Sequence, residues 1–267
     1  MRIVWHIGLP RGSDGRMEDP EKLWSALTDY AAKVVDPNTK VELRFLERSI
    51  QFGHPYHFLI NNVLLVEEVV KCQEEGFDAV MLAPAIDPGI DESRAAAQIP
   101  VVGSLESAMV VSQFIGRRVG IVGVRAGYVT LIEQNMNRYG LRQRLIDNRP
   151  VRLWEMNYKD VTKALKGDGD EFVSQFERVA RELIAEGADV IVGACQFFGG
   201  IFDRVGYKGV IDRGVTYVDC SAAGLKMAES MASLNKSIGL RKSESPFSPF
   251  RSMDPALVKE ATKIRRS

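Results

Sequence analysis

The chain has 267 residues, 45% of them hydrophobic, and its 35 basic side chains balance 35 acidic ones. That length and composition can bury a substantial core, as one large domain or two small ones, and the cancelled charge does not point to a nucleic-acid or anionic-membrane partner. Three cysteines make no disulfide framework, no apolar run reaches the length of a bilayer span, and the opening Met-Arg-Ile-Val-Trp-His-Ile-Gly lacks signal-peptide character, so a cytoplasmic protein with no nucleic-acid or membrane partner is expected.

In chain order, Ile3–Ile7 is a short apolar run closed by Gly8-Leu-Pro-Arg-Gly12, which predicts a strand and then a loop. A helix is predicted over Glu21–Val35, with Leu23, Trp24, Leu27, Tyr30 and Ala31 on one face, followed by a strand over Val41–Leu46. Gln51-Phe-Gly-His-Pro-Tyr-His57 reads as an aromatic, histidine-bearing loop, and Phe58–Glu75 has helical periodicity ending at Gly76. A buried strand follows at Ala79–Ala83, then the turn Asp87-Pro-Gly89, a short helix over Glu92–Ala97 and a strand over Pro100–Gly103. Ser104 is placed to cap a helix running to Ile115. The second part predicts strands at Arg118–Val124, Arg152–Met156, Val190–Ala194 and Thr216–Val218. Its helices are predicted at Tyr128–Tyr139, Glu171–Ala185, Gly200–Val205 and Ala222–Leu234. Asn235–Ser267 has another composition, with Ser-Glu-Ser-Pro-Phe-Ser-Pro-Phe-Arg at its centre, and reads as an arm on the body or on a neighbouring subunit, or as a loose tail.

Strands that are apolar throughout, alternating with helices, argue an α/β fold with parallel sheets. The chain also repeats itself. Glu75-Gly-Phe-Asp-Ala-Val-Met-Leu-Ala-Pro84 aligns without a gap on Glu186-Gly-Ala-Asp-Val-Ile-Val-Gly-Ala-Cys195, Ile99–Ser104 parallels Val215–Cys220, and Arg2–Gly8 loosely parallels Arg118–Val124. Two pseudo-symmetric, Rossmann-like halves are expected: residues 1–103 with 220–267, and residues 104–219. The site is expected in the cleft where the tips of the Ala83 and Ala194 strands meet.

Cys195 is the leading candidate for chemistry. It sits at a strand tip, a glycine-bearing turn follows, and the amides of the next helix would favour its thiolate; the bland alternative is a small buried hydrophobe. Cys220 reads as a capping position and Cys72 as packing. Pro84, the repeat counterpart of Cys195, has no ionisable group. His54 and His57 flank Tyr56 and could supply a second acid or base, as could His6 or Asp87; a solvated loop histidine is the alternative reading for the first two. Arg11, Gln196, Ser104, Ser221 and the turn holding Val124 and Arg125 are candidates for binding substrate and an anionic intermediate. Gly120-Ile-Val-Gly-Val-Arg-Ala-Gly127 lacks the spacing of a dinucleotide loop, and no His/Cys/Asp spacing resembles a metal site.

The stretch Phe77–Arg94 resembles the first signature of the aspartate/glutamate/hydantoin racemase superfamily, and Pro100–Ala108, Ala188–Gly200 and Val218–Glu229 resemble its later ones. The chain is most similar in these stretches to hydantoin racemases and arylmalonate decarboxylases. The resemblance implies pseudo-symmetric halves, no cofactor, a small carboxylate or cyclic amide or imide as substrate, and a thiol acting at a carbon next to a carbonyl or carboxylate. It also implies that the first of two racemase cysteines falls on Pro84 and the second on Cys195, as in the decarboxylases. His6–Gly12 replaces the family's N-terminal substrate loop.

Two-thiol racemisation needs a proton carrier on each face of the carbon, which leaves three chemistries open. One is decarboxylation followed by protonation from Cys195; another is racemisation or isomerisation with a different second base. The third is a hydrolytic or ring-opening reaction with Cys195 as nucleophile. A non-catalytic small-molecule binding protein is the rival reading, and the tail makes a homo-oligomer plausible.

Overall fold

The computed structural model describes residues 1–12, 18–49, 55–209, 214–254, 256–258 and 260. The first half runs β1 (Arg2–His6), α1 (Pro20–Val34), β2 (Lys40–Arg44), α2 (Pro55–Glu74), β3 (Ala79–Leu82), α3 (Ile90–Ala96) and β4 (Val101–Gly103). Then come α4 (Ser104–Ser112), β5 (Val119–Gly123), α5 (Ala126–Arg138), a 3-10 turn (Arg142–Arg144), β6 (Val151–Leu153), α6 (Tyr158–Leu165) and α7 (Asp170–Ala185). The chain closes with β7 (Val190–Ala194), α8 (Phe198–Arg204), β8 (Thr216–Asp219) and α9 (Cys220–Ile238).

The strands form two four-stranded sheets, β2-β1-β3-β4 and β6-β5-β7-β8, parallel throughout. The same order in both halves bears out the expected α/β architecture and the twofold legible in the repeat. β3 and β7 are buried along their whole length, as uninterrupted apolar strands covered on both faces must be. Their tips carry Ala83-Pro84 and Cys195.

One core cluster joins the halves. Ile3, Trp5 and Ile7 of β1 and Leu23, Trp24 and Leu27 of α1 share it with Phe198, Ile201 and Phe202 of α8. The contact between α1 and α8 is close: a Cβ on Gly200 would lie 2.7 Å from Leu27 Cδ2 and 3.2 Å from the Ala26 backbone. The helices after β4 and β8 exchange sheets. α9 packs against β3 and β4, α4 against β7 and β8, and the two helices lie along each other. Gly224 marks the crossing, where a Cβ would meet Met81 at 3.0 Å and Ser104 Cα at 3.3 Å.

Several boundaries differ from expectation. α2 starts at Pro55, which suits a first helical position because its ring presets φ and it lacks the amide hydrogen. His57 therefore belongs to a first helical turn and not to a loop, while His54 lies outside the described residues. α6, in a stretch for which no element was predicted, starts where Asn157 Oδ1 accepts from the Lys159 amide at 3.0 Å. α8 begins at Phe198 and α9 at Cys220. Ser104 does not cap α4; the carboxylate of Asp87 takes the free amides of Leu105 and Glu106, at 3.0 and 2.9 Å.

The tail after α9 is an arm on the body over its described residues. Lys242 Nζ donates to the carbonyl oxygens of Arg94, Ala95 and Ala97 at the end of α3, at 2.7, 3.1 and 2.7 Å. Gln98 Nε2 donates to Ser252 Oγ at 2.7 Å, and the Arg94 guanidinium lies over the Phe250 ring. Among the described residues no helix is long and apolar enough to cross a membrane.

Candidate active site

The tips of β3, β5, β6 and β7 enclose a cavity of about 270 Å3. Leu9, Pro84 and Ala85 line it from the first half; Val124, Arg125, Tyr128, Glu155, Met156, Tyr158 and Ala194–Phe197 line it from the second. Among the lining residues Cys195 supplies the only thiol, and Pro84 lines the same cavity from the equivalent strand tip of the other half. Pro84 is seated on the first loop: Gly8 has φ 72°, and a Cβ there would stand 2.6 Å from Pro84 Cγ.

Cys195 is 5% exposed. Burial pushes its thiol up to about 12; the Asp219 carboxylate adds to the rise, while the amides of Phe197 and Phe198 and the charge of Arg125 oppose it. The amides of the following helix do favour the thiolate, as expected, but desolvation outweighs them. The resting group is a thiol, a proton donor whose conjugate base is strong.

Of the other sequence candidates, Val124, Arg125 and Gln196 reach the cavity. The Gln196 side chain donates from Nε2 to Ile7 O at 3.1 Å, tying the thiol loop to the end of β1. Ser221 Oγ donates to Gln196 O at 3.0 Å and Ser104 Oγ to Ala83 O at 2.9 Å, so the two serines brace the two strand-tip loops and do not line the cavity. Arg11 faces outward in an ion pair with Glu21 at 2.6 Å. His57 does not line the cavity either.

His6 is fully buried at the tip of β1, where its Nδ1 accepts from the Gly8 amide at 3.1 Å. Burial lowers it to about 3, with Arg44 adding in the same direction. It is a neutral imidazole that shapes the Gly8 turn, outside the cavity lining.

Asp87 has a left-handed φ of 43° and a buried carboxylate that accepts from Leu105 N, Glu106 N and, at 2.8 Å, the Tyr139 hydroxyl. Burial raises it to about 6 against the pull of these hydrogen bonds. Because the folded state holds its proton to higher pH than the unfolded chain does, Asp87 makes stability fall as pH rises between about 4 and 6. Asp87→Asn should remove that slope, and the Asp87 carboxyl followed by 13C NMR should titrate near 6; a midpoint near about 4, the ordinary carboxylate value, would contradict it.

Tyr128, Glu155, Met156 and Tyr158 enter the cavity without having been singled out in the sequence. Asn157 and Asp160, a cap and a first-turn acid, were the readable sign of the helix that carries Tyr158.

A family model described as Asp/Glu/Hydantoin racemase matches residues 59–228, well over half of the chain. This chain belongs to that family. Within it, the chain is 28% identical over 172 residues to a hydantoin racemase of Pseudomonas sp. (strain NS671), covering 64% of this chain and 65% of that protein. It is 26% identical over 167 residues to a hydantoin racemase of Rhizobium meliloti, covering 62% and 65%. The matches span just under two-thirds of those relatives' lengths. In fold, the chain is similar to allantoin racemase from Klebsiella pneumoniae, with a TM-score of 0.75 at 21% identity over 95% of this chain and 94% of that one. It is also similar to arylmalonate decarboxylase, with a TM-score of 0.54 at 14% identity over 91% and 96%. The family read from the signature stretches is thereby borne out.

Proposed function

We propose that this member of the Asp/Glu/hydantoin racemase family is a cofactor-independent enzyme of carbon-acid chemistry in which Cys195 carries a proton on one face of a carbon next to a carbonyl or carboxylate. The substrate is a small carboxylate or cyclic amide. The observation that carries this reading is the lopsided cavity: Cys195 lines one side, and the equivalent strand tip offers Pro84. A buried thiol at about 12 suits protonation of a carbanion better than abstraction of a proton, since its thiolate is scarce at neutral pH. Loss of CO2 would leave an enediolate, Cys195 would give it a proton, and water would reprotonate the thiolate. Arg125 and the amides at the start of α5, beside Val124, would hold the anionic group; that Val124 and Arg125 line the cavity supports this.

Racemisation is the second reading, favoured by the likeness to hydantoin racemases over most of the matched segment. His6, His57 and Asp87 do not line the cavity, so the second face would take its proton from Tyr128, Tyr158 or water.

The test is run in heavy water with 2-substituted malonates, 5-substituted hydantoins and 2-substituted acids, following CO2 release and deuterium uptake by NMR. CO2 loss with label on one face supports the first reading, and exchange with inversion the second. Cys195→Ala should lose about 1000-fold or more of either activity, and undiminished turnover would remove the thiol from the mechanism.

A further inference from the structure

Each half holds a buried carboxylate at or just beyond a strand tip, outside the cavity lining, and each carboxylate is reached by a tyrosine of the opposite half. Asp87 accepts from Tyr139, immediately after α5, at 2.8 Å. Asp219 accepts from Tyr30 of α1 at 3.0 Å, from Tyr217 of its own strand at 3.1 Å and from the Ala222 amide at 2.8 Å. α1 and α5 follow the equivalent strands β1 and β5, so the pairs obey the same twofold as the sheets. The carboxylates reach one kind of place by different routes: a Cβ on Gly103, the repeat counterpart of Asp219, would stand 2.6 Å from the Asp87 carboxyl carbon.

What the twofold does not preserve is the thiol. Asp87 lies three residues beyond Pro84, whereas the Cys195 loop is wrapped around Asp219. Gly193, which pairs with Asp219 between β7 and β8, leaves room for the Tyr217 ring, which a Cβ would approach to 2.5 Å. Gly199 leaves room for Tyr30 and Asp219, which a Cβ would approach to 2.3 and 2.5 Å. The residues on either side of the thiol are thus cut away to admit one hydrogen-bonded node.

We propose that Asp219, clamped by Tyr30 and Tyr217, is the positioning residue for Cys195: it anchors the loop that carries the thiol and holds a negative charge beside it. Burial raises the Asp219 carboxyl above the ordinary carboxylate range, while the amides of Ala222 and Ser221 and the hydroxyls of Tyr30 and Tyr217 pull it back toward the ionised form. That charge opposes formation of a thiolate and keeps Cys195 a proton donor. The other groups acting on Cys195 are Arg125, of opposite sign, and the amides of Phe197 and Phe198. Around the node stand Cys220, beyond which lies Asp87, and Asp203 with its ion-pair partner Lys33.

The inference deepens the reading of Cys195 as a proton carrier, but its test needs no substrate. The rate of Cys195 carboxamidomethylation by iodoacetamide is measured against pH, with the site quantified by peptide mass spectrometry. Asp219→Asn retains a residue able to cap α9 and should lower the midpoint of reactivity by about one to two pH units, with a rise of about tenfold or more in rate at pH 9. Asp87→Asn, which makes the equivalent change beside Pro84, should shift the midpoint by less than half as much. A purely structural Asp219 predicts no midpoint shift in a folded variant, and that result would overturn the proposal. Equal shifts in both variants would overturn it too. Should Asp219→Asn fail to fold, Asp219→Ser, also a capping residue without charge, reads the same midpoint. A null result here leaves the Cys195→Ala turnover assay to judge the thiol mechanism separately.

Discussion

A Pro84→Cys variant should label both faces of the reacting carbon. In heavy water the wild type is expected to place deuterium on the Cys195 face alone; with a second thiol at the opposing strand tip, the product should approach equal labelling, and enantiopure product should lose its configuration on return to the enzyme. The position tolerates the change. The amides of Ile86 and Asp87 bond to the Pro84 carbonyl, at 2.7 and 2.9 Å, and a cysteine presents the same carbonyl. The second-face exchange rate should rise by about 100-fold or more, the scale of one positioned acid or base. The double variant with Cys195→Ala should reverse the labelled face. Single-face labelling in Pro84→Cys, measured by NMR with a chiral shift reagent, would show that Pro84 does not face the substrate carbon.

The largest stability loss is expected from Phe176→Ala. Its ring centroid lies 5.0 Å from that of Phe202, 5.2 Å from Tyr217, 5.6 Å from Phe198 and 6.0 Å from Trp154. All of these belong to the layer behind the thiol loop, and Phe198 opens the helix that follows Cys195. A fully buried phenyl group removed from such a cluster costs about 3–5 kcal/mol, because the rings around it cannot close the void without leaving their rotamers. For a chain of this size that corresponds to a fall in Tm of about 6–20 °C by calorimetry. The Cys195 alkylation rate should rise at the same time, since Phe198 and Tyr217 both lose a neighbour. A fall in Tm of under about 2 °C would mean that the cluster is loosely packed and does not support the site.

The sheets were legible because their strands are short β-branched runs bounded by glycine and proline, and the twofold was legible because Glu-Gly-x-Asp recurs with the same strand after it. Cys195 was found for the same reason. The cavity wall was less legible. Tyr128 and Tyr158 lie in the first turns of the helices after β5 and β6 and Glu155 in the connection after β6, and parallel strand order gathers them at one edge, which no local pattern announces. Polar residues chosen at strand tips for their chemistry, such as His6, Asp87, Ser104 and Ser221, spend their hydrogen bonds on backbone and, for Asp87, on the Tyr139 hydroxyl as well. Periodicity says that a tip residue is near a cleft, but not whether it points into it. The protonation of Cys195 was likewise out of reach: helix amides can be read from sequence, whereas the desolvation that outweighs them depends on the packed fold.

The crossing of α4 and α9 has a consequence for biosynthesis. The first sheet is made of residues that leave the ribosome early, yet the helix that covers β3 and β4 is α9, which follows the last strand among the described residues. A nascent chain that stops at β8 holds an eight-stranded protein with one apolar face of its first sheet, Met81 included, still bare. Completion of the N-terminal half therefore waits on α9, and the contacts that finish it, such as Gly224 against Met81, join residues far apart in the sequence, which slows their formation. The packing of the two halves is therefore completed together, once α9 has been made.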